Sequence, residues 1–437
     1  MSTTPRLARP ASETTARRGL TLLSTLGLLF GIVMPVVAGL LFPTYVNSMP
    51  VMWQERARIL ELQFVACELA VIAAAFRGGF SLRRFSRDLP MDIRVAAGIL
   101  AAAMIGASAF KATNPADAML QTNIQLIHCV FAAAVYFLAR RWPDRDWPRL
   151  TFWLTAGVPV IALYTAWRFL LPPPLAEIPG GQIQWDFAVP GFISVRYLGI
   201  WLGAIGAALS VKQLFLDRNE RLGASHLVLL LVLAFMFWTG TRAAVLGVLV
   251  AIAASVLVAR RLPAIRALMM GAGVAVTAYI LAQLLAFDSQ IFVLVDDTSG
   301  DVRSFMSGRL ELWLAALGRI EQAPVSGWGT GSLLWDVYLN WHHTQPHNSL
   351  LQFAMDWGLF GAAAAVWIFG RALWTAQARA AGDAAAWPIL ALVNALLAMS
   401  MVDGALYYPR FVTLVLLGLA LLIAVRDSES QPDLPST

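Results

Sequence analysis

The sequence predicts an all-α polytopic membrane protein with about twelve transmembrane helices. The chain is 59% hydrophobic and 13% charged, a composition outside the usual range of soluble globular domains. Its apolar residues fall in blocks of about 20, the length that crosses a hydrocarbon core of roughly 30 Å. This pattern argues against a soluble protein, and we expect residues 1–437 to form a single integral membrane domain.

Hydropathy places the predicted spans along the whole chain, with an interruption before the tenth. The first six lie at roughly 20–41, 58–76, 95–110, 119–139, 149–171 and 193–213. The last six lie at roughly 225–239, 242–259, 263–286, 349–370, 386–402 and 408–425. The span 95–110 is short, and the turn at Gly240 between two spans is very tight. Losing a span at either place would make the count odd and would invert half of the topology.

Basic residues are distributed unevenly between the loops on the two sides of these spans. One set of loops, together with the termini, holds 22 of the 32 arginines and lysines, and the other set holds ten. Because basic loops stay in the cytoplasm, both termini are predicted to be cytoplasmic. We expect the tail 427–437 to be disordered and the polar segment 287–348 to face outward.

This outward segment contains an amphipathic pattern, a group of glycines and a group of histidines. Leu310, Trp313, Leu314, Leu317 and Ile320 recur at helical spacing, which predicts an amphipathic helix on the membrane surface or packed over the bundle. Pro324 ends that helix. Three glycines follow, and turn geometry explains them better than a phosphate loop, because the lysine of such a loop is missing. Three of the five histidines come next.

Four basic or titratable residues lie at predicted helix N-termini on the outward side: Arg196, Arg242, Arg309 and His347. Thr241 and Ser307 are candidate N-caps, and Ser349 with Gln352 fits a capping box. Free N–H groups at helix starts bind phosphate, and arginine adds a permanently charged planar fork. Convergence of these ends would create an anion-binding site.

The motifs in the second half of the chain resemble the O-antigen ligase and polymerase superfamily of bacterial inner-membrane glycosyltransferases. The residues that carry the resemblance are Arg196-Tyr-Leu-Gly199, Thr241-Arg242-Ala-Ala244, Ser307-Gly-Arg309 with Trp313, Pro324-x-x-Gly327-x-Gly329, His347-Asn-Ser-Leu350, Leu351-Gln352, Asp356-x-Gly358 and Gly361. The family usually has serine before the second arginine, glutamate before Gly358 and an asparagine after the first motif. These departures bear on subfamily placement.

The resemblance implies a GT-C-like fold and transfer of a glycan from undecaprenyl diphosphate on the periplasmic side. In ligases the acceptor is a lipid A core sugar, and a large periplasmic loop late in the chain favours a ligase. O-antigen polymerase and protein O-oligosaccharyltransferase remain alternatives. An activated donor makes an inverting, metal-independent reaction the expectation, with membrane lipids around it and with no cofactor and no nucleic acid partner. A secondary transporter is the rival class, although neither midplane polar clusters nor broken helices are expected from the sequence.

The candidate roles follow from this resemblance and from the residue chemistry. His347 is the predicted general base, the alternative being a residue that orients the loop. Arg242 and Arg309, followed by Arg196, are predicted to bind the diphosphate, the alternative being contact with lipid headgroups. His342 and His343 are predicted to contact the acceptor or to pack in the loop, with His343 counted among the substrate-binding residues and His342 as a secondary candidate. The remaining candidates are Asp356, a second possible base or a structural residue, and Arg410, expected to pair with Asp403. No metal is expected, because no carboxylate pattern accompanies the histidines.

Overall fold

A computed structural model describes residues 21–41, 60–142, 146–170, 191–192, 195–217, 223–285, 309–334 and 345–424. Within these ranges the protein is helical and contains no β-strand. Nine of the described helices are long and apolar enough to cross a membrane. The prediction of an all-α polytopic membrane protein is therefore confirmed.

The helices follow the predicted apolar blocks. They are α1 (Leu22–Leu28, continued as a π-helix over Leu29–Ala38), α2 (Leu62–Arg77), α3 (Leu82–Asp88), α4 (Met91–Phe110), α5 (Pro115–Arg141), α6 (Trp147–Leu170) and α7 (Val195–Phe215). The chain continues with α8 (Ala224–Trp238), α9 (Arg242–Ala259), α10 (Ile265–Leu284), α11 (Arg309–Gln322), α12 (Ser349–Ala380), α13 (Trp387–Asp403) and α14 (Pro409–Ala424).

Each predicted span coincides with one of these helices, but three of them differ from a simple long span. The pair α2 and α3 is bent by 87°, and α8 and α14 are shorter apolar helices. The count of twelve therefore stays a prediction. At the tight turn between α8 and α9, Gly240 adopts a φ of 64°, a left-handed conformation that glycine tolerates without a steric cost.

The centre of the bundle is formed by α7, α13 and α14, which are buried along most of their length. Lipid-facing surface is clearest on α10, where Met269 is 68% exposed and Leu284 is 76% exposed. Such apolar exposure would be unfavourable in water, and it is expected for a helix that contacts acyl chains.

The helix ends form two faces with different chemistry. On one face, arginine side chains link neighbouring ends: Arg141 donates to the Gly78 carbonyl, Arg371 to Asp92 at 3.3 Å, and Arg379 to the Ile423 carbonyl. We call this the arginine-rich face. The opposite face, which we call the site face, contains the N-termini of α2, α5, α7, α9, α12 and α14 and the C-termini of α4 and α13. This division agrees with the predicted alternation of loops.

Helix α12 is broken, contrary to the expectation of unbroken helices. Gly358 has φ 68° and ψ 176°, and the segment 324–331 docks at the break. Trp328 N donates to Met355 O at 2.9 Å, and Leu359 N donates to Pro324 O at 2.7 Å. Backbone from the docked segment thus satisfies groups that the break would leave unpaired.

The position of the break follows from the contacts of the same segment. Thr330 hydrogen-bonds Ser108, close to the end of α4, and Thr122, close to the start of α5. The break therefore lies near the site face. Residues 359–380 alone extend for about 33 Å at 1.5 Å per residue, enough to cross the hydrocarbon core.

The predicted amphipathic helix is α11, and it ends two residues before Pro324. Leu312, Ala316 and Ile320 are buried against α12. Of the two predicted positions, on the membrane surface or over the bundle, the helix therefore occupies the second. Of the predicted apolar stripe, Leu314 is 60% exposed and only Ile320 is buried, because the contacting face lies partly to one side of that stripe.

Candidate functional site

A carboxylate at the end of α13 connects two of the predicted site residues, the candidate base and one of the candidate diphosphate-binding arginines. Asp403 Oδ2 lies 3.3 Å from an Arg309 guanidinium nitrogen, and Asp403 Oδ1 lies 3.5 Å from His347 Nδ1. The Asp403 side chain is 4% exposed, and the other two side chains are each 16% exposed. The result is a buried carboxylate between a cation and an imidazole, both partly open to solvent.

The backbone around His347 is tightly constrained. His347 has a φ of 50°, a left-handed conformation that is uncommon for a residue with a side chain and is frequent at functional sites. Asn348 caps α12 by accepting from Leu350 N and Leu351 N at 3.0 and 3.1 Å. Its amide also donates to the Met401 carbonyl at 2.9 Å, which ties the start of α12 to the end of α13.

The predicted capping box at this helix start is wrong. The cap is Asn348 rather than Ser349, because the helix begins at Ser349 itself. Gln352 does not reach back to the cap. It donates instead to Asp356 at 2.8 Å and to the Ser332 carbonyl at 3.2 Å.

The other predicted diphosphate-binding arginines lie at helix starts on the site face. Arg196 is exposed near the start of α7 and acts electrostatically on Asp403. Arg242 is the first residue of α9. Helices α7 and α9 approach closely there, since a Cβ added to Gly199 would lie 2.1 Å from Thr241 Oγ1. Thr241 occupies the N-cap position without making a side-chain cap bond, and Ser307 lies outside the described residues.

A polar pocket opens beside His347. It lies between α5, the start of α12, the docked segment and the turn after α13. Its lining includes Gln121, Gln125, Thr330, Gly331, Gln345, His347, Ser349, Gln352, Phe353, Asp356, Trp357 and Tyr407. Amides, hydroxyls and aromatic rings dominate this lining.

Asp356, the second candidate base, holds the glycine-containing segment in place. It accepts from Gly331 N and Ser332 N at 3.1 Å each, from Ser332 Oγ at 2.7 Å and from Gln352 Nε2 at 2.8 Å. A carboxylate that accepts this many hydrogen bonds has a structural role. The geometry therefore favours Asp356 as a structural residue over Asp356 as a base. Gly327, Gly329 and Gly331 all have positive φ, which agrees with the prediction of turn geometry.

The expected pairing of Arg410 with Asp403 is wrong. Arg410 is buried and bonds both oxygens of Glu61 and the Gly191 carbonyl. Its guanidinium also lies 4.3 Å from the centre of the Phe192 ring. Asp403 is thereby left to Arg309 and His347. Glu61 is 349 residues from Arg410 in the chain, and sequence spacing gives no sign of such a contact.

Contrary to expectation, a buried polar group also lies deeper in the bundle, and the sequence patterns gave no sign of it. His128 Nδ1 lies 2.6 Å from Glu68 Oε2, and Thr413 Oγ1 donates to Glu68 Oε1 at 2.6 Å. All three residues are at most 1% exposed. They join α2, α5 and α14 where apolar packing alone would leave orientation less specified.

Two of the predicted site residues, His342 and His343, lie outside the described residues. Within the described ranges there is no group of three His, Cys, Asp or Glu side chains placed to hold a metal ion.

The fold and the site face together define a multi-pass membrane protein with a cation- and histidine-containing site at one set of helix ends. Residues 227–366 match the family model described as O-antigen ligase. This segment contains Arg242, Arg309, His347 and Asp356, and lies between Arg196 and Asp403. The match confirms the predicted superfamily and supports an O-antigen ligase or polymerase type of function. No curated protein matches the chain.

Proposed function

We propose that this protein is an O-antigen ligase that transfers a glycan from undecaprenyl diphosphate to a hydroxyl of the lipid A core. The observation that carries the proposal is the Arg309–Asp403–His347 cluster, which places a cation and a base on the two sides of one carboxylate. Helix N-termini, which suit phosphate binding, lie on the same face, and His347 lines a polar pocket. These are the parts that glycosyl transfer from a diphosphate requires.

His347 acts as the general base. Asp403 lies on the Nδ1 side of the ring, so the neutral imidazole carries its proton there and accepts at Nε2. The acceptor hydroxyl transfers its proton to Nε2 while its oxygen attacks the anomeric carbon. Attack comes from the face opposite the leaving group, which inverts the configuration.

The diphosphate leaves with the bonding electron pair of the anomeric C–O bond. Arg309, with Arg242 and Arg196, stabilises the charge that develops on it. The backbone N–H groups in the first turns of α9 and α11 contribute in the same direction. Arg309 is therefore the residue that connects donor binding to the base through Asp403.

The site faces the periplasm of a bacterial inner membrane. The support is the distribution of basic residues, 22 against ten, because the arginine-rich face corresponds to the more basic set of loops. A lipid-linked donor reaches this face from the outer leaflet, and membrane lipids surround the bundle.

A secondary transporter is disfavoured by the way that α12 is broken. In transporters, broken helices leave backbone groups free to coordinate substrate or ions near the midplane. Here the docked segment bonds those groups, and the break lies near the end of α4. O-antigen polymerases and protein O-oligosaccharyltransferases use the same donor. The following experiment distinguishes these two activities from ligation.

The test is transfer in proteoliposomes that contain the purified protein, undecaprenyl-diphosphate-linked O-antigen and lipid A core, with mass analysis of the products. We expect glycan attached to the lipid A core, and none with the His347→Ala protein. Longer lipid-linked glycans without modified core would indicate a polymerase, and glycan found only on an added protein acceptor would indicate an oligosaccharyltransferase. Either result would contradict the ligase assignment.

A further inference from the structure

The pocket beside His347 has an uncharged binding surface apart from two residues. Among its described lining residues His347 is the only histidine and Asp356 the only carboxylate, and none is an arginine or lysine. The Asp356 oxygens already accept four hydrogen bonds. A diphosphate would find no cation here, whereas a neutral ligand with several hydroxyls would find many partners.

Two buried polar atoms in the lining lack a hydrogen-bond partner among the described residues. Ser349 Oγ belongs to a residue that is 1% exposed, and Gln352 Oε1 to one that is 4% exposed. Buried polar groups in native proteins are nearly always paired, so each exception needs an explanation. A hydroxylated ligand in the pocket would pair both.

Three amide side chains complete the pocket, and contacts within the fold constrain two of them, Gln121 and Gln345. Gln121 and Gln125 are four residues apart and lie on one face of α5. Gln121 packs on Gly331, where an added Cβ would lie 1.9 Å from its Oε1. Gln345 donates to the Tyr408 hydroxyl at 3.1 Å. Fixed side chains of this kind lower the entropy lost on binding.

We propose that this pocket binds the acceptor sugar as an uncharged, hydroxylated ring, with Ser349, Gln121 and Gln125 as specificity-determining contacts. The inference rests on the proposed function, because it uses His347 as the base. His347 lines the pocket and also contacts Asp403, which binds Arg309. The acceptor hydroxyl thus meets the base from the pocket, while the donor diphosphate binds at the arginines.

The experiment compares Ser349→Ala and Gln125→Ala with Gln283→Ala, an exposed control on α10. We expect the acceptor KM to rise about fivefold to tenfold in each pocket variant, as for the loss of one hydrogen bond, with donor Kd unchanged. The thermal stability of Ser349→Ala should be unchanged or higher, because a buried unpaired hydroxyl is removed. The control should match wild type in all three quantities.

A second measurement needs no transfer. Saturation-transfer NMR with core oligosaccharide released from lipid A detects binding to the wild-type protein, and the signal should fall in both pocket variants. Unchanged acceptor KM and unchanged oligosaccharide binding would overturn the inference. A rise in donor Kd alone would overturn the assignment to the acceptor. If wild type binds the oligosaccharide but transfers no glycan, the proposed function fails while the sugar pocket stands.

Discussion

Replacement of Gly358 by alanine tests the docking of the segment 324–331 at the break in α12. With φ 68° and ψ 176°, Gly358 occupies a region that is essentially restricted to glycine. An added Cβ would lie 2.2 Å from the Val325 carbonyl oxygen and 3.0 Å from that of Pro324. Both contacts are to backbone, so a side-chain rotation cannot relieve them.

The expected loss of stability follows from two costs. A residue with a side chain in this conformation costs about 1–3 kcal/mol, and overpacking adds about 1–3 kcal/mol. We expect Gly358→Ala to destabilise the protein by about 3 kcal/mol in total, with partial relief by movement of the docked segment. Transfer should also fall, because Thr330 and Gly331 in that segment line the pocket.

The matched control lies on the same helix. Gly370 has nothing within 4 Å of an added Cβ, and alanine there should stabilise α12 by about 0.5–1 kcal/mol. Thermal unfolding in detergent, followed by tryptophan fluorescence, compares the two variants with wild type. A Tm for Gly358→Ala equal to that of Gly370→Ala would refute the docked arrangement.

The remaining predictions concern the site and its orientation. Arg309→Lys and Arg242→Lys should weaken donor binding about tenfold or more, since lysine keeps the charge but loses the fork; donor Kd values within twofold of wild type would contradict the assignment. Asp403→Asn should lower turnover by about 10²-fold with normal folding, measured by single-turnover transfer. In a protein without native cysteines, Gln322→Cys should react with an impermeant maleimide in intact spheroplasts and Arg83→Cys only after lysis. The reverse pattern would invert the topology.

Much of the fold was predictable from the sequence, because the length of an apolar block indicates a membrane span. The break in α12 was not. Glycine is common in transmembrane helices, so Gly358 alone carries little information, and its partner carbonyls at Pro324 and Val325 lie more than 30 residues earlier. Only the three-dimensional contact shows why the helix breaks at that position.

Part of the candidate site was also predictable, because helix starts can be recognised in the sequence. The structure brings together His347 and Arg309, which sequence analysis selected from helix starts, yet Asp403, which joins them, was assigned to Arg410. The nearest cation in sequence is a poor guide, since the Arg410 guanidinium is instead neutralised by Glu61. The choice of partner for a buried charge depends on packing between distant helices.

The proposed mechanism requires that His347 transfers a proton rather than binds the donor. The most direct test is to measure donor Kd and the single-turnover rate on the same purified wild-type and His347→Ala proteins. Loss of a general base typically costs about 10²–10⁴ in rate, so we predict a loss of that size in turnover with donor Kd changed less than threefold. Equal losses in binding and turnover would make His347 a binding residue, and full turnover would mean that another group is the base.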